Sequence, residues 1–315
     1  MSFLSTAVQN VLEQGEFCAI ASSTPLGPHC TPLVFTLSGG RVWLTTSRGS
    51  VKTRAWRRDD ATAGLVRAGD LAVTFTGTAQ TFDLLDRSTW SGTVHEAPRV
   101  ARATVAFSRK NAKFFAGYAA DAKQVPFAWT PPGRVFVGID IARTALLDED
   151  GVQEGWSRWG GEVVSHESFR ISKKGEPSLA SVPVDVRSSV GEAGEGALTV
   201  TGSRGPVVLP VRWLVDGPAT YAALPAETLA LANAGPDAPV ALTIDRASAW
   251  RARDMVGAMV QGTGSIFTLA GLGTGARTVK GLLKSIDPVA DALVRIEPTR
   301  VVWWHGWSSG SASVA

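Results

Sequence analysis

The chain has 315 residues, of which 44% are hydrophobic and 19% charged, with a formal net charge of +3. This length favours two domains, and the composition favours a globular chain with a sizeable core. A charge this small excludes a strongly basic nucleic-acid or membrane-surface binder, so the expected partner is a small-molecule substrate, with no nucleic acid and no membrane.

In chain order, residues 2–13 read as a short amphipathic helix with Leu4, Val8, Val11 and Leu12 on one face. They lack the basic and long apolar regions of a signal peptide. The only two cysteines, Cys18 and Cys30, have no CxxC spacing and no matching histidine pattern. That argues against a metal site and for two buried thiols in a reducing cytoplasm. Residues 31–37 and 41–45 are β-rich runs around Ser38-Gly39-Gly40, a hairpin signal. Residues 50–58 read as a helix, and 71–76 and 135–141 as strands. Residues 86–123 carry helical spacing, a long insertion before the last strand of this half. Residues 151–195 are rich in Gly, Ser and charge, with Lys173-Lys174-Gly175-Glu176-Pro177 among them, and have the composition of a linker.

A diverged internal repeat organises the rest. A constant offset of 178 places Pro32 on Pro210, Gly39 on Gly217, Phe35 on Trp213, Trp43 on Tyr221 and Ala63 on Ala241. Gly77-Thr78 and Phe82 then match Gly262-Thr263 and Phe267 at an offset of 185, and residues 137–143 match 294–300 at 157. Identity within any one block is near chance; the signal is the order of the blocks and their shared Pro, Gly and aromatic landmarks. The expected core comprises Val34, Val42, Leu44, Val73, Val137 and Ile139 in the first copy. In the second it comprises Val211, Leu214, Val260, Val294 and Ile296. The division read from this is 1–150, a linker 151–195, and 196–315.

The sharpest local feature is Thr45-Thr46-Ser47-Arg48-Gly49-Ser50-Val51-Lys52-Thr53-Arg54. A strand ends in hydroxyls, turns at Gly49 and enters a helix capped by Ser50, whose free N–H groups favour an anion. Lys52, Arg48 and Arg54 supply charge, and charge-assisted bonds to phosphate are the strong ones. A solvated basic helix start is the plain alternative. At the ungapped equivalents the second copy has Pro225, Ala226, Glu227, Thr228, Ala230 and Ala232. A requirement of the fold would appear in both copies, so the basic set is better explained by a ligand of the first copy, with one phosphate per chain.

Residues 40–54, with Arg57-Arg58-Asp59, the Ala63-Gly64-Leu65-Val66 run and the closing segments 135–143 and 293–304, resemble the pyridoxamine-phosphate-oxidase-like split-barrel superfamily. The resemblance covers most of both copies. It implies a mainly β (α+β) fold of two tandem split β-barrels, an intrachain pseudo-dimer with helical insertions. It implies an oxidoreductase using FMN or the deazaflavin F420, with Thr45, Thr46, Ser47, Arg48, Ser50, Lys52 and Arg54 around the cofactor phosphate. Pro32, Leu33, Val34 and Phe35 would lie along the ring system. Relatives are usually homodimers with the cofactor between two barrels; here one chain could form the whole site as a monomer, with a homodimer left open. The substrate-binding C-terminal motif of the vitamin B6 oxidases has no convincing match, which puts that particular reaction in doubt. A flavin or haem carrier on the same fold is the non-enzymatic alternative. Some relatives bind haem through a C-terminal histidine, and His305 would be that ligand, against the plain reading of a Trp-rich final strand.

Two further signals compete with plainer readings. Residues 255–276 carry no charge and reach the length of a membrane span, but their six glycines favour a strand and loop. Gly271-Leu272-Gly273-Thr274-Gly275-Ala276 mimics a dinucleotide fingerprint, yet no second strand with an acidic residue follows.

Overall fold

The turn at Gly39 and Gly40 shows why the first sheet folds back on itself. Both glycines have positive φ, 62° and 76°, the backbone that a tight hairpin with the right twist demands and that side chains disfavour. The structure, a computed structural model, describes residues 4–83, 85–86, 90–126, 130, 133–155, 159, 161–171, 177–248 and 250–314.

The first half runs α1 (Thr6–Gln14), β1 (Phe17–Thr24), β2 (Gly27–Ser38), β3 (Arg41–Ser47), α2 (Val51–Trp56), β4 (Ala61–Ala68) and β5 (Leu71–Phe82). After α3 (Trp90–Lys110) and α4 (Ala112–Ala120) come β6 (Arg134–Leu147) and the short β7 (Val152–Glu154). The strands lie in the order β3-β2-β1-β4-β5-β6-β7, and β3 also pairs with β6, closing six of them into an antiparallel barrel. After α5 (Val184–Val190) the second half repeats the plan with β8 (Ala193–Gly202), β9 (Gly205–Asp216), β10 (Ala219–Leu224), α6 (Ala226–Ala230), β11 (Asp237–Arg246) and β12 (Val256–Thr268). It ends with α7 (Ala276–Ile286), β13 (Ala292–His305) and β14 (Ser308–Ser313). Its order is β10-β9-β8-β11-β12-β13-β14, with β10 closing on β13. Closure leaves neither barrel an open edge among its six strands.

Pro32 lies in β2 and Pro210 in β9, the second strand of each barrel. The pairing Gly64–Phe75 has its counterpart in Leu242–Val260, and Leu44–Val137 in Ala222–Val294. Even the β-bulge falls at matching places, between Thr76 and Gly77 and between Gln261 and Gly262. A Cβ on Gly77 would stand 2.1 Å from the carbonyl oxygen of Asp140, and one on Gly262 2.0 Å from that of Glu297. Gly77→Ala and Gly262→Ala should therefore each force the neighbouring strand aside and destabilise by about 1–3 kcal/mol. Denaturant midpoints unchanged in both variants would refute this.

Period-2 burial builds the cores. Ile20, Phe35, Val42, Leu44, Phe75, Val137 and Ile139 fill the first barrel and are fully buried. Of the expected core residues two depart: Leu214 is half-buried while Trp213 is 1% exposed, and Val34 is buried outside the barrel, against Phe107 and Phe114. Val211 and Leu214 are three residues apart and cannot share a face of a regular strand; Val211 and Trp213 can. Each barrel also carries an outward aromatic covered by a helix. Trp43 packs against Phe82 of β5 and lies under Ala103 of α3, and Tyr221 lies under α7 through Val279 and Leu283.

The barrels pack face to face through one shared apolar core, which holds Ala21, Ala63, Leu65 and Leu147 of the first half with Leu198, Val208 and Leu209 of the second, and through polar contacts across it. Thr74 Oγ1 donates to the Val208 carbonyl (2.7 Å), Thr243 Oγ1 to that of Cys30 (2.9 Å) and Gln261 Nε2 to that of Pro28 (2.7 Å). Residues 151–195 contain β7, α5 and the first residues of β8, and Leu179, Val182, Val186 and Val190 are buried in the core shared with the second barrel. Lys173, Lys174, Gly175 and Glu176 lie outside the described residues. Among the described residues no helix is long and apolar enough to cross a membrane; the uncharged 255–276 stretch is largely β12. Because β12 and β13 are antiparallel, the glycine-rich turn before α7 is not part of a parallel βαβ unit, as a dinucleotide fingerprint requires.

Candidate functional site at the end of β3

Hydroxyl residues end β3, and the structure shows how they are used. Ser50 caps α2: its Oγ accepts from the Thr53 amide at 3.1 Å and from Thr46 Oγ1 at 3.2 Å. Thr53 Oγ1 donates to the Ser47 carbonyl at 2.9 Å. This network fixes the short helix against the strand end. Lys52 then points inward from α2. Its Nζ donates to Thr31 Oγ1 on β2, the residue is 5% exposed, and among the described residues no carboxylate lies within ion-pair distance. Burial pushes its pKa down to about 8, with the Cys30 thiol acting weakly the other way. Next to it, His29 is driven down to about 3 by burial and by the charges of Lys52 and Arg300, so it stays neutral.

The other cations of this segment divide. Arg48 is already paired, its Nε 2.8 Å from Asp83 Oδ2, and Arg57 reaches the same carboxylate at 3.2 Å. Arg54 is exposed. Sequence reasoning missed Arg134, the first residue of β6, which pairs opposite Ser47. Its Nε donates to Thr45 Oγ1 at 2.5 Å and its Nη2 to the Thr45 carbonyl at 2.8 Å. It too has no carboxylate within ion-pair distance among the described residues, and burial lowers its pKa. The readable signal was its offset partner: a shift of 157 puts the acidic Asp291 at this position of the second copy.

On β2, Phe35 points into the barrel core, whereas Pro32 and Val34 lie on the outer face. Leu33 is partly buried against the core. Val34 is covered by Phe107 of α3, Phe114 of α4 and Ala252 of the second half. A cavity of 190 Å³ opens beside it, lined by Phe17, Val34, Lys110, Asn111 and Phe114 among others. The insertion α3–α4 thus roofs the strand with apolar rings and excludes water from it.

The corresponding place on the second barrel differs in sign. Pro210, Arg212, Ala223, Leu224 and Pro225 line a 330 Å³ cavity there, matching Pro32, Val34, Thr45, Thr46 and Ser47 at an offset of 178. Asp148, Glu149, Glu195 and Asp287 also face it, against Arg67 and Arg212. Carboxylates outnumber cations, so this cavity repels a phosphate. Counted from the helix starts, Glu227 rather than Ala230 matches Lys52; neither is a cation.

His305 is half exposed at the end of β13, with Nδ1 2.8 Å from Asp185 Oδ2. That bond holds the Asp185 carboxyl below its usual range. Cys18 and Cys30 are buried free thiols, and burial raises both above the ordinary range. Among the described residues no group of three or more His, Cys, Asp or Glu is placed to hold a metal.

No protein-family model and no curated protein matches the sequence. Solved structures do, and the three that follow each match less than half of the chain. A pyridoxamine 5′-phosphate oxidase-related, FMN binding protein from Nostoc punctiforme is 15% identical, over 48% of this chain and 88% of that one, with a TM-score of 0.34. A FAD-binding protein from Mesorhizobium loti is 17% identical over 45% and 94%, with a TM-score of 0.34. An F420 reductase is 13% identical over 45% and 98%, with a TM-score of 0.30. By its own topology the chain is a tandem of two closed, antiparallel six-stranded split barrels with helices between them.

Proposed function

We propose that this protein is an oxidoreductase that holds FMN, or the deazaflavin F420, by its phosphate at the end of β3 and acts on a small molecule. The observation that carries the reading is Lys52: a buried ammonium with no carboxylate partner among the described residues. An unpaired buried charge is expensive. A phosphate beside it offsets that expense, and the hydroxyls of Thr46, Ser47 and Ser50 stand next to it in sequence. The donor set therefore fits the phosphate group that the sequence resemblance implies. When bound, the ring supplies hydride transfer. The protein's part is to anchor the phosphate, keep water from the β2 face with the aromatic roof, and supply the second barrel where relatives use a second subunit. A ring lying along Val34 would have to displace Phe107, Phe114 and Ala252, which cover it. The division 1–150, 151–195 and 196–315 assigns the site to the first barrel, and the two unbridged thiols fit a reducing cytoplasm. Titration of the purified protein with FMN and with riboflavin tests the reading; equal affinity for the two would defeat it.

Lys52 also makes the binding pH-dependent. Its folded value near 8 lies below the ordinary lysine value of about 10.4. Between the two the unfolded chain binds more protons than the folded one, so this group's contribution makes stability rise with pH across that window. A phosphate restores the proton, so its binding is linked to proton uptake. FMN affinity should be level from about pH 7 to 8 and then fall by up to about tenfold per pH unit. Calorimetry in buffers of different ionisation enthalpy should register proton uptake near pH 9; none would contradict the assignment.

A further inference from the structure

The helix α4, which helps to roof β2, is lightly held along its length. Of its nine residues only Phe114 and Gly117 are buried. The 190 Å³ cavity is lined by Phe114 together with Phe17 and Val34 of the strands, a space that a close-packed helix would fill. The root of the helix is fixed. Asn111 breaks the helical backbone between α3 and α4, at φ −101° and ψ 21°. Its side-chain amide donates to the carbonyls of Phe35 on β2 (3.3 Å) and Phe107 on α3 (2.9 Å). The far end grips the second half of the chain. Asp121 Oδ1 lies 3.3 Å from Arg253 Nη1 and 4.0 Å from Arg251 Nη1, and the Tyr118 ring meets Trp307 edge-on at 5.2 Å. Gly117 allows the approach, since a Cβ there would collide with the Trp250 carbonyl oxygen. The two arginines flank Ala252, which with Phe107 and Phe114 covers Val34. This grip is incomplete. Asp121 is 5% exposed, yet its Oδ2 and the buried Nε of Arg251 have no hydrogen-bond partner among the described residues. Bare buried polar atoms oppose closure.

We propose that α4 is a lid on the outer face of β2, hinged at Asn111 and latched on the second half by Asp121, which opens to admit a planar ligand to Val34. The proposal rests on the reading above for the identity of that ligand. Release of the latch frees Phe114 on one side and the turn carrying Ala252 on the other, while Phe107 moves by its side-chain torsions. A closed lid excludes the ring, so the apparent affinity is reduced to the fraction of chains that are open. Weakening the latch should therefore tighten binding, the opposite of what a residue that merely supports the site would do. Arg253→Gln removes the nearer arm of the latch, and Asp121→Ala removes its carboxylate. Each should raise FMN affinity by roughly threefold or more. In the empty chain each should also speed hydrogen exchange of the α4 amides relative to those of β1 and β4. If Asp121→Ala fails to fold, Arg253→Gln decides alone. An Arg253→Gln chain with FMN affinity level or lower, or with α4 exchange unchanged relative to β1 and β4, overturns the lid and leaves the flavin reading standing. A wild-type chain that does not bind FMN defeats that reading, and the exchange of α4 in the latch variants then decides whether the lid exists.

Discussion

Replacing Lys52 by alanine should weaken FMN binding by about 1.5–3 kcal/mol, the usual worth of a hydrogen bond to a charged group, or roughly tenfold and more in affinity. Riboflavin, which has no phosphate, should bind the variant and the wild type alike. The contrast follows from where the ammonium lies: buried, on Thr31, with no carboxylate among the described residues. The empty protein should gain slightly in stability from the same change, because a buried charge that opposes folding has been removed. Ala230→Ser on the second barrel should leave FMN affinity as it was. A Lys52→Ala chain that binds FMN as tightly as wild type would remove the grip from this residue.

The second large effect belongs to the core of the second barrel. Trp213 is 1% exposed and donates its indole N–H to the Glu195 carbonyl at 3.2 Å. Trp213→Ala should destabilise by about 3–5 kcal/mol, the range for truncating a buried large aromatic. Leu214→Ala, one residue on and half-buried on the other face, should cost about 1 kcal/mol. Urea unfolding followed by circular dichroism separates the two. Equal losses would mean that the strand faces are assigned the wrong way round.

These two residues also show what could be read beforehand. Strand order and register were legible because Pro32, Gly39, Phe35 and Gly77 have landmarks at fixed offsets, and landmarks of that kind are imposed by turns, bulges and cores. The phase at Leu214 was misread: Arg212 and Asp216 share its face, so the alternation through Val211 and Trp213 already pointed Leu214 outward. Within the candidate site, the Ser50 cap and the helix start were local and visible. Arg48 looked free because its neutralising partner, Asp83, stands 35 residues away at the end of β5. Arg134 was hidden for the same reason. Its relation to Thr45 spans 89 residues and exists only once β3 pairs with β6.

The face-to-face packing of the barrels within one chain has a consequence for mass action. Hydrogen bonds from Thr74, Thr243 and Gln261 cross an apolar seam, in which Ala21, Ala63, Leu65 and Leu147 of the first half share one buried core with Leu198, Val208 and Leu209 of the second. Two separate subunits would part on sufficient dilution. A covalent tether instead gives each barrel an effective concentration of its partner of order millimolar, whatever the amount of protein present. Association becomes a first-order event that dilution does not affect. The two halves are also freed from the identity that a symmetric pair imposes, so one face can turn basic and its counterpart acidic without either change being copied to the other.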